Sequence, residues 1–298
     1  MGGVLGAGLF RGGLANLLGD AEIVVVGRRP PLAWQGQRFL TADFEQAGQL
    51  GSLVRELRPR AVFHAAALSR IDVCEQSPEL AERLNAEVLG ELAEALAESG
   101  GRLVACSTDQ VFDGAAASYS EQAAISPLHA YGRSKAHGER IALASGATVL
   151  RLPLLLGPPV PGLPERMGAE AGAVAAARAG RSLGLFTDEW RAPADPASFV
   201  EAIAKLLLGN PHQGIFHLAG ADAVSRFELG SLSCAAAGVE HAHQPSSLAD
   251  WNGDPRPPRL ILSCERARRE LGFRPPDLRQ SLARLCSPAV TGAPAKED

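Results

Sequence analysis

The chain has 298 residues, of which 46% are hydrophobic and 21% charged, so it can bury a sizeable core and is not a disordered polymer. A formal net charge of −4 and a pI near 6.0 disfavour a protein held to nucleic acid by phosphate contacts. No stretch reaches the roughly 18 uninterrupted apolar residues of a membrane span, so neither a nucleic acid nor a membrane is expected as partner.

The opening MGGVLGAGL runs from glycines straight into a helical pattern, without the basic start of a signal peptide. Gly3 and Gly6 have the spacing of the last two glycines in GxxGxxG. Such a turn brings backbone N–H groups to a pyrophosphate at the positive end of a helix. The other reading is a frayed Gly-rich terminus. The first glycine and its strand would fall before Met1, so the count is expected to be about 6–9 residues short, a typical strand plus its turn.

Residues 22–27 (EIVVVG), 61–66, 102–107 and 148–152 are short, rich in β-branched residues and bounded by Gly, Pro or polar residues, which predicts strands with two buried faces. Between them, 45–57, 78–98 and 128–144 read as helices. In the second, Leu80, Leu84, Val88, Leu92 and Leu96 form one apolar stripe, with Ser77-Pro78 as its start and Gly100 as its stop. Strands alternating with helices predict a parallel sheet covered on both faces, a doubly wound α/β fold. Beyond 152 the texture changes. Five prolines crowd into 153–164, helical segments near 163–180 and 196–208 follow, and one more strand is expected at 215–219. The expected division is a dinucleotide lobe over 1–152, to which strand 215–219 returns, a substrate lobe over 153–286, and a disordered tail from 287 to 298.

The strand at 22–27 ends in Arg28-Arg29 with no acidic residue. A base there accommodates an NADP 2′-phosphate, where an acid would favour NAD, so NADPH is the expected cofactor, with NADH as the alternative. The other reading is two solvated arginines. Farther along, Tyr131 and Lys135 stand four apart on one helix face. A nearby ammonium lowers a phenol's pKa and equips it to donate a proton. With two tyrosines and three lysines in the chain, chance gives such a pair about 0.02 times, so composition makes it specific. Ser107-Thr108-Asp109 ends a predicted strand, where open α/β sheets keep their working groups.

These blocks, STDQVFDG (107–114) and SPLHAYGRSKAHGE (126–139), resemble the extended short-chain dehydrogenase/reductases, and most of all the dTDP-4-dehydrorhamnose reductase family. Residues 64–87 and 214–229 carry the likeness along nearly the whole chain. The resemblance implies a Rossmann-type sheet and hydride transfer from NAD(P)H to a keto carbon of a nucleotide-linked deoxysugar. Tyr131 would protonate the oxygen, Lys135 would tune Tyr131 and bind ribose, and Thr108 would orient the carbonyl. Gly3, Val4, Leu5, Gly6, Arg28, Arg29, Asp43, Phe44, Ala65, Ala66 and Ala67 would line the cofactor. Asp109 would face the sugar; in the loop 187–193, Trp190 could stack on a base and Arg191 pair with a diphosphate. A homodimer is compatible with the likeness.

The chain departs from the family pattern at Leu154, where an aromatic is usual, and at Gln110, where dehydratases carry a second acid. Two other readings use the same fold: a non-catalytic subunit resembling the regulatory β subunit of methionine adenosyltransferase, and a nucleotide-sugar epimerase. The five cysteines, Cys74, Cys106, Cys234, Cys264 and Cys286, include no CxxC pair, which points to a reducing cytoplasm and away from a disulfide framework. His241 and His243 have no acidic or Cys partner at ligand spacing, so no metal is expected.

Overall fold

A computed structural model describes residues 4–30, 37–160, 167–209 and 212–286. Gly3, the start of the helix expected near 163 and the tail from 287 lie outside the described residues. The chain begins with α1 (Val4–Arg11) and α2 (Leu14–Leu17), then strands β1 (Val24–Gly27) and β2 (Arg38–Thr41). Next come α3 (Gln49–Leu57), β3 (Ala61–His64), α4 (Ile71–Gln76), α5 (Pro78–Glu82), α6 (Val88–Ser99), β4 (Arg102–Thr108), α7 (Ala130–Ala144) and β5 (Thr148–Leu152). The remainder holds α8 (Ala169–Arg178), β6 (Gly184–Phe186), β7 (Trp190–Arg191), α9 (Val200–Leu208), β8 (Gly214–His217), β9 (Val224–Ser225), α10 (Arg226–Ala236), β10 (Gln244–Ser246), β11 (Arg259–Leu260), α11 (Glu265–Leu271) and α12 (Leu278–Leu285).

Strands β3, β4, β5 and β8 form one sheet in that order, every neighbour parallel, and β1 and β2 form a separate parallel pair. The α/β architecture with a parallel, helix-covered sheet is thus observed. Its cause is visible in β4. Val104 and Cys106 join a core shared with α1 and α9, whereas Leu103 and Ala105 join a core shared with α3 and α6. Alternate residues point to opposite faces, and both faces are apolar, so helices must cover both. Burying one such side chain stabilises by about 1.5–3 kcal/mol.

The helix expected over 78–98 differs. Ser77 and Pro78 do start it, and Gly100 ends it in a left-handed conformation (φ 68°). Between α5 and α6, however, Arg83–Glu87 makes one π turn. A wider turn rotates the following residues, so the apolar stripe breaks there: Val88, Leu92 and Leu96 are buried, but upstream the buried positions are Ala81, Asn85 and Ala86. Short strands after residue 180 pair as β10 with β6, and as β11, β7 and β9 in order. No helix among the described residues is long and apolar enough to cross a membrane.

Candidate active site

The site gathers at the carboxyl edge of the parallel sheet, where β3 and β4 end and α7 begins. Thr108 closes β4, and its Oγ1 accepts from Gln110 N (3.2 Å) and donates to Asp109 Oδ1 (3.2 Å). Tyr131 and Lys135 project from the first turns of α7, and the Tyr131 hydroxyl is within hydrogen-bonding reach of Thr108. Lys135 is buried, and its Nζ donates to the Cys106 carbonyl at 2.6 Å. The helical spacing and the strand end therefore bring Thr108, Tyr131 and Lys135 together.

Burial sets the electrostatics. It pushes the Tyr131 phenol well above its usual value, against a lowering by its hydrogen bond with Thr108, and the Asp109 charge adds to the rise. It also depresses Lys135. A phenol kept protonated is equipped to donate. Burial pushes Asp109 up to about 6, partly countered by Arg191 and Thr108. Among the described residues, three buried polar atoms at this edge have no hydrogen-bond partner: His64 Nε2 at the end of β3, Ser107 Oγ in β4, and Asp109 Oδ2 just beyond it. Buried polar groups are normally satisfied, so an orphaned cluster marks a place for a ligand.

The other residues singled out in the sequence fall as follows. Val4, Leu5 and Gly6 form the first turn of α1. Arg28 and Arg29 are exposed just beyond β1, with Arg28 3.5 Å from Glu45. Asp43 accepts from Glu45 N (3.1 Å), and the Phe44 ring lies 6.2 Å from that of His64. Ala65, Ala66 and Ala67 follow the carboxyl end of β3. Trp190 is half-buried beneath the Arg259 guanidinium, 5.0 Å from its ring. It lines a cleft of about 440 Å³ with Asp188, Arg259, Pro258 and Gly114–Ala117; Thr108, Tyr131 and Lys135 are not in its lining. Arg191 is buried, donates to the Trp190 carbonyl (2.8 Å) and pairs with Glu189 (3.1 Å), which Arg256 also holds (2.7 Å). Among the described residues no group of three His, Cys, Asp or Glu could hold a metal ion.

A profile of the RmlD substrate binding domain matches residues 3–290. The chain belongs to this family. It is 31% identical to methionine adenosyltransferase 2 subunit beta of Rattus norvegicus over 78% of this chain and 72% of that one. Among solved structures, it is similar to a hypothetical dTDP-4-dehydrorhamnose reductase from Sulfolobus tokodaii, with 26% identity, a TM-score of 0.78, and 93% and 95% of the two chains covered. The fold is also that of the dTDP-4-dehydrorhamnose reductase of Bacillus anthracis in complex with NADP, with 23% identity, a TM-score of 0.76, and 88% and 96% covered. The chain thus has the fold of sugar-nucleotide reductases.

Beside this family site, Asn85 and His129 escaped the reading of the sequence, and Gln110 was noticed only as a departure from the dehydratase pattern. Asn85, in the π turn, accepts from Leu68 N (2.9 Å) and donates to Leu68 O (3.0 Å) and to Ser134 Oγ (3.0 Å), the residue before Lys135. A buried Asn in an apolar helix was the available signal. His129 caps α7, and Gln110 meets the His129 ring; nothing in their local sequence announces the contact.

Proposed function

We propose that the protein is an NAD(P)H-dependent oxidoreductase that reduces a keto group on a nucleotide-linked deoxysugar. The observation that carries this reading is the convergence of Thr108, Tyr131 and Lys135 beside three orphaned polar atoms at the sheet's carboxyl edge. Those features fit a nicotinamide cofactor and a carbonyl substrate. A bound nicotinamide would supply the hydride. Tyr131, held protonated by burial, would deliver the proton to the oxygen. Thr108 would turn its O–H from Asp109 toward the carbonyl and orient it. Lys135 would hold ribose hydroxyls. Arg28 and Arg29 would take the 2′-phosphate of NADP, and the cofactor would run along Val4–Gly6, Asp43–Phe44 and Ala65–Ala67. Asp109 would face the sugar, and Trp190, in its open cleft, would stack on the base. Arg191, already paired with Glu189, would support that loop and act on a diphosphate only through its charge.

The test is absorbance-monitored oxidation of NADPH with dTDP-4-keto-6-deoxy sugars. Turnover is expected, and Arg28→Ala should raise KM for NADPH about tenfold, the loss of one charge contact, while leaving NADH unchanged. Cofactor binding without turnover of any such sugar would sink the reading. A second reading, a non-catalytic subunit, is favoured by the 31% identity to methionine adenosyltransferase 2 subunit beta. Co-purification with a methionine adenosyltransferase catalytic subunit, together with absent turnover, is its signature.

A further inference from the structure

His129 is fully buried one residue before α7. Its Nδ1 accepts from Gly132 N at 3.1 Å, and its Nε2 lies 3.0 Å from Gln110 Oε1. A backbone N–H can only donate, so Nδ1 carries no proton. The ring proton therefore sits on Nε2 and donates to Gln110. Both ring nitrogens are thus spent on joining two segments: the first turn of α7, which holds Tyr131, and the turn Asp109–Val111, which follows Thr108. The two are pressed together as well. A Cβ on Gly132 would overlap the Gln110 carbonyl oxygen and come within 2.8 Å of Pro127 Cβ. The His129 ring also lies nearly parallel to that of Tyr131, with centroids 6.1 Å apart and 14° between planes.

We propose that His129 is a positioning residue, whose neutral imidazole latches the Tyr131 helix to the Thr108–Gln110 segment through Gln110. The consequence for catalysis rests on the reductase reading above; the latch itself does not. A proton added to Nδ1 would face the Gly132 N–H donor to donor, so the cap is lost and the first turn of α7 is released. The latch is closed at higher pH and opens as pH falls. Burial holds His129 below its ordinary value of 6.5, as does Arg133 on α7, while Glu75 on α4 and Asp254 in the loop before β11 raise it.

The chain has only two tyrosines, so 3-fluorotyrosine labelling gives two fluorine signals, and Tyr119→Phe assigns that of Tyr131. Histidine labelled with ¹⁵N reports tautomer and protonation, with His129→Asn assigning the ring. The expected result is an Nε2–H tautomer at His129 and a Tyr131 signal that shifts with the same acid midpoint. That shift should vanish in His129→Asn, since Asn caps a helix without titrating. Gln110→Leu leaves the helix cap in place and should displace the Tyr131 signal. In turnover, Gln110→Leu and His129→Asn both break the link to Gln110 and should each lower kcat about tenfold with KM for the cofactor unchanged, the pattern of lost transition-state geometry, and His129→Asn should in addition lose the acid limb of the pH profile. An Nδ1–H tautomer, or a Tyr131 signal indifferent to both substitutions, overturns the proposal. Absent turnover with the expected spectra would overturn the reductase reading and leave the latch standing.

Discussion

At the scale of single residues, desolvation sets the electrostatics of the candidate site. The same burial that keeps Tyr131 protonated holds Asp109 near 6 instead of near 3.8. An acid whose pKa is raised on folding contributes stability that is complete below its unfolded value and is lost as pH rises through the folded one. Asp109→Asn should therefore gain stability relative to the parent by about 3 kcal/mol between about pH 4 and about pH 8, read from urea denaturation at the two values. A flat difference would mean that Asp109 is not desolvated. Tyr131→Phe should leave the fold intact and reduce NADPH turnover by about 10²–10⁴, the usual worth of a positioned general acid. Both residues were legible in the sequence, because a strand end and an i,i+4 pair are local features. Their pKa directions were not, because desolvation depends on what packs around them.

At the scale of elements, α7 is fixed along its length by contacts that no local pattern reveals. Its first turn is capped by His129, its middle meets Asn85, and Glu139 holds Arg151 of β5. That last pair is bidentate (2.9 and 2.7 Å), with both side chains only 3% exposed. Arg151 also lies 5.0 Å over the Phe112 ring. Removing one partner of a buried pair strands the other charge, so Glu139→Ala should destabilise by about 3–5 kcal/mol, measured as a drop in the urea midpoint. A change under about 1 kcal/mol would show that water reaches the guanidinium. The π turn at Arg83–Glu87 belongs to this scale as well. The period-four stripe predicted one continuous helix, since periodicity reports which residues are apolar and not how the backbone winds between them. The wider turn carries Asn85 to the Leu68 backbone and Ser134 at once.

Across the whole molecule, Asp195 ties the start of the chain to its last described helix. It is fully buried and accepts from Arg11 of α1 (2.8 Å), Arg284 of α12 (3.0 Å) and Ala197 N (3.0 Å). Asp195→Ala should speed amide exchange in both α1 and α12 while β4 and β5 stay protected, because local opening follows the loss of the contacts that hold an element. Unchanged exchange in α12 would show that the apolar contacts of Leu278, Leu282 and Leu285 suffice to hold it. By itself the sequence determined the alternation of strands and helices, the two-faced burial of the parallel sheet and the Thr108, Tyr131 and Lys135 trio. Each is written in local spacing, composition or periodicity. Tertiary structure alone decided that Arg191 is spent on Glu189, that the site's pKa directions follow burial, and that His129 meets Gln110 nineteen positions away. Such pairings join segments whose approach is set by packing, and packing is a property of the folded surfaces taken together.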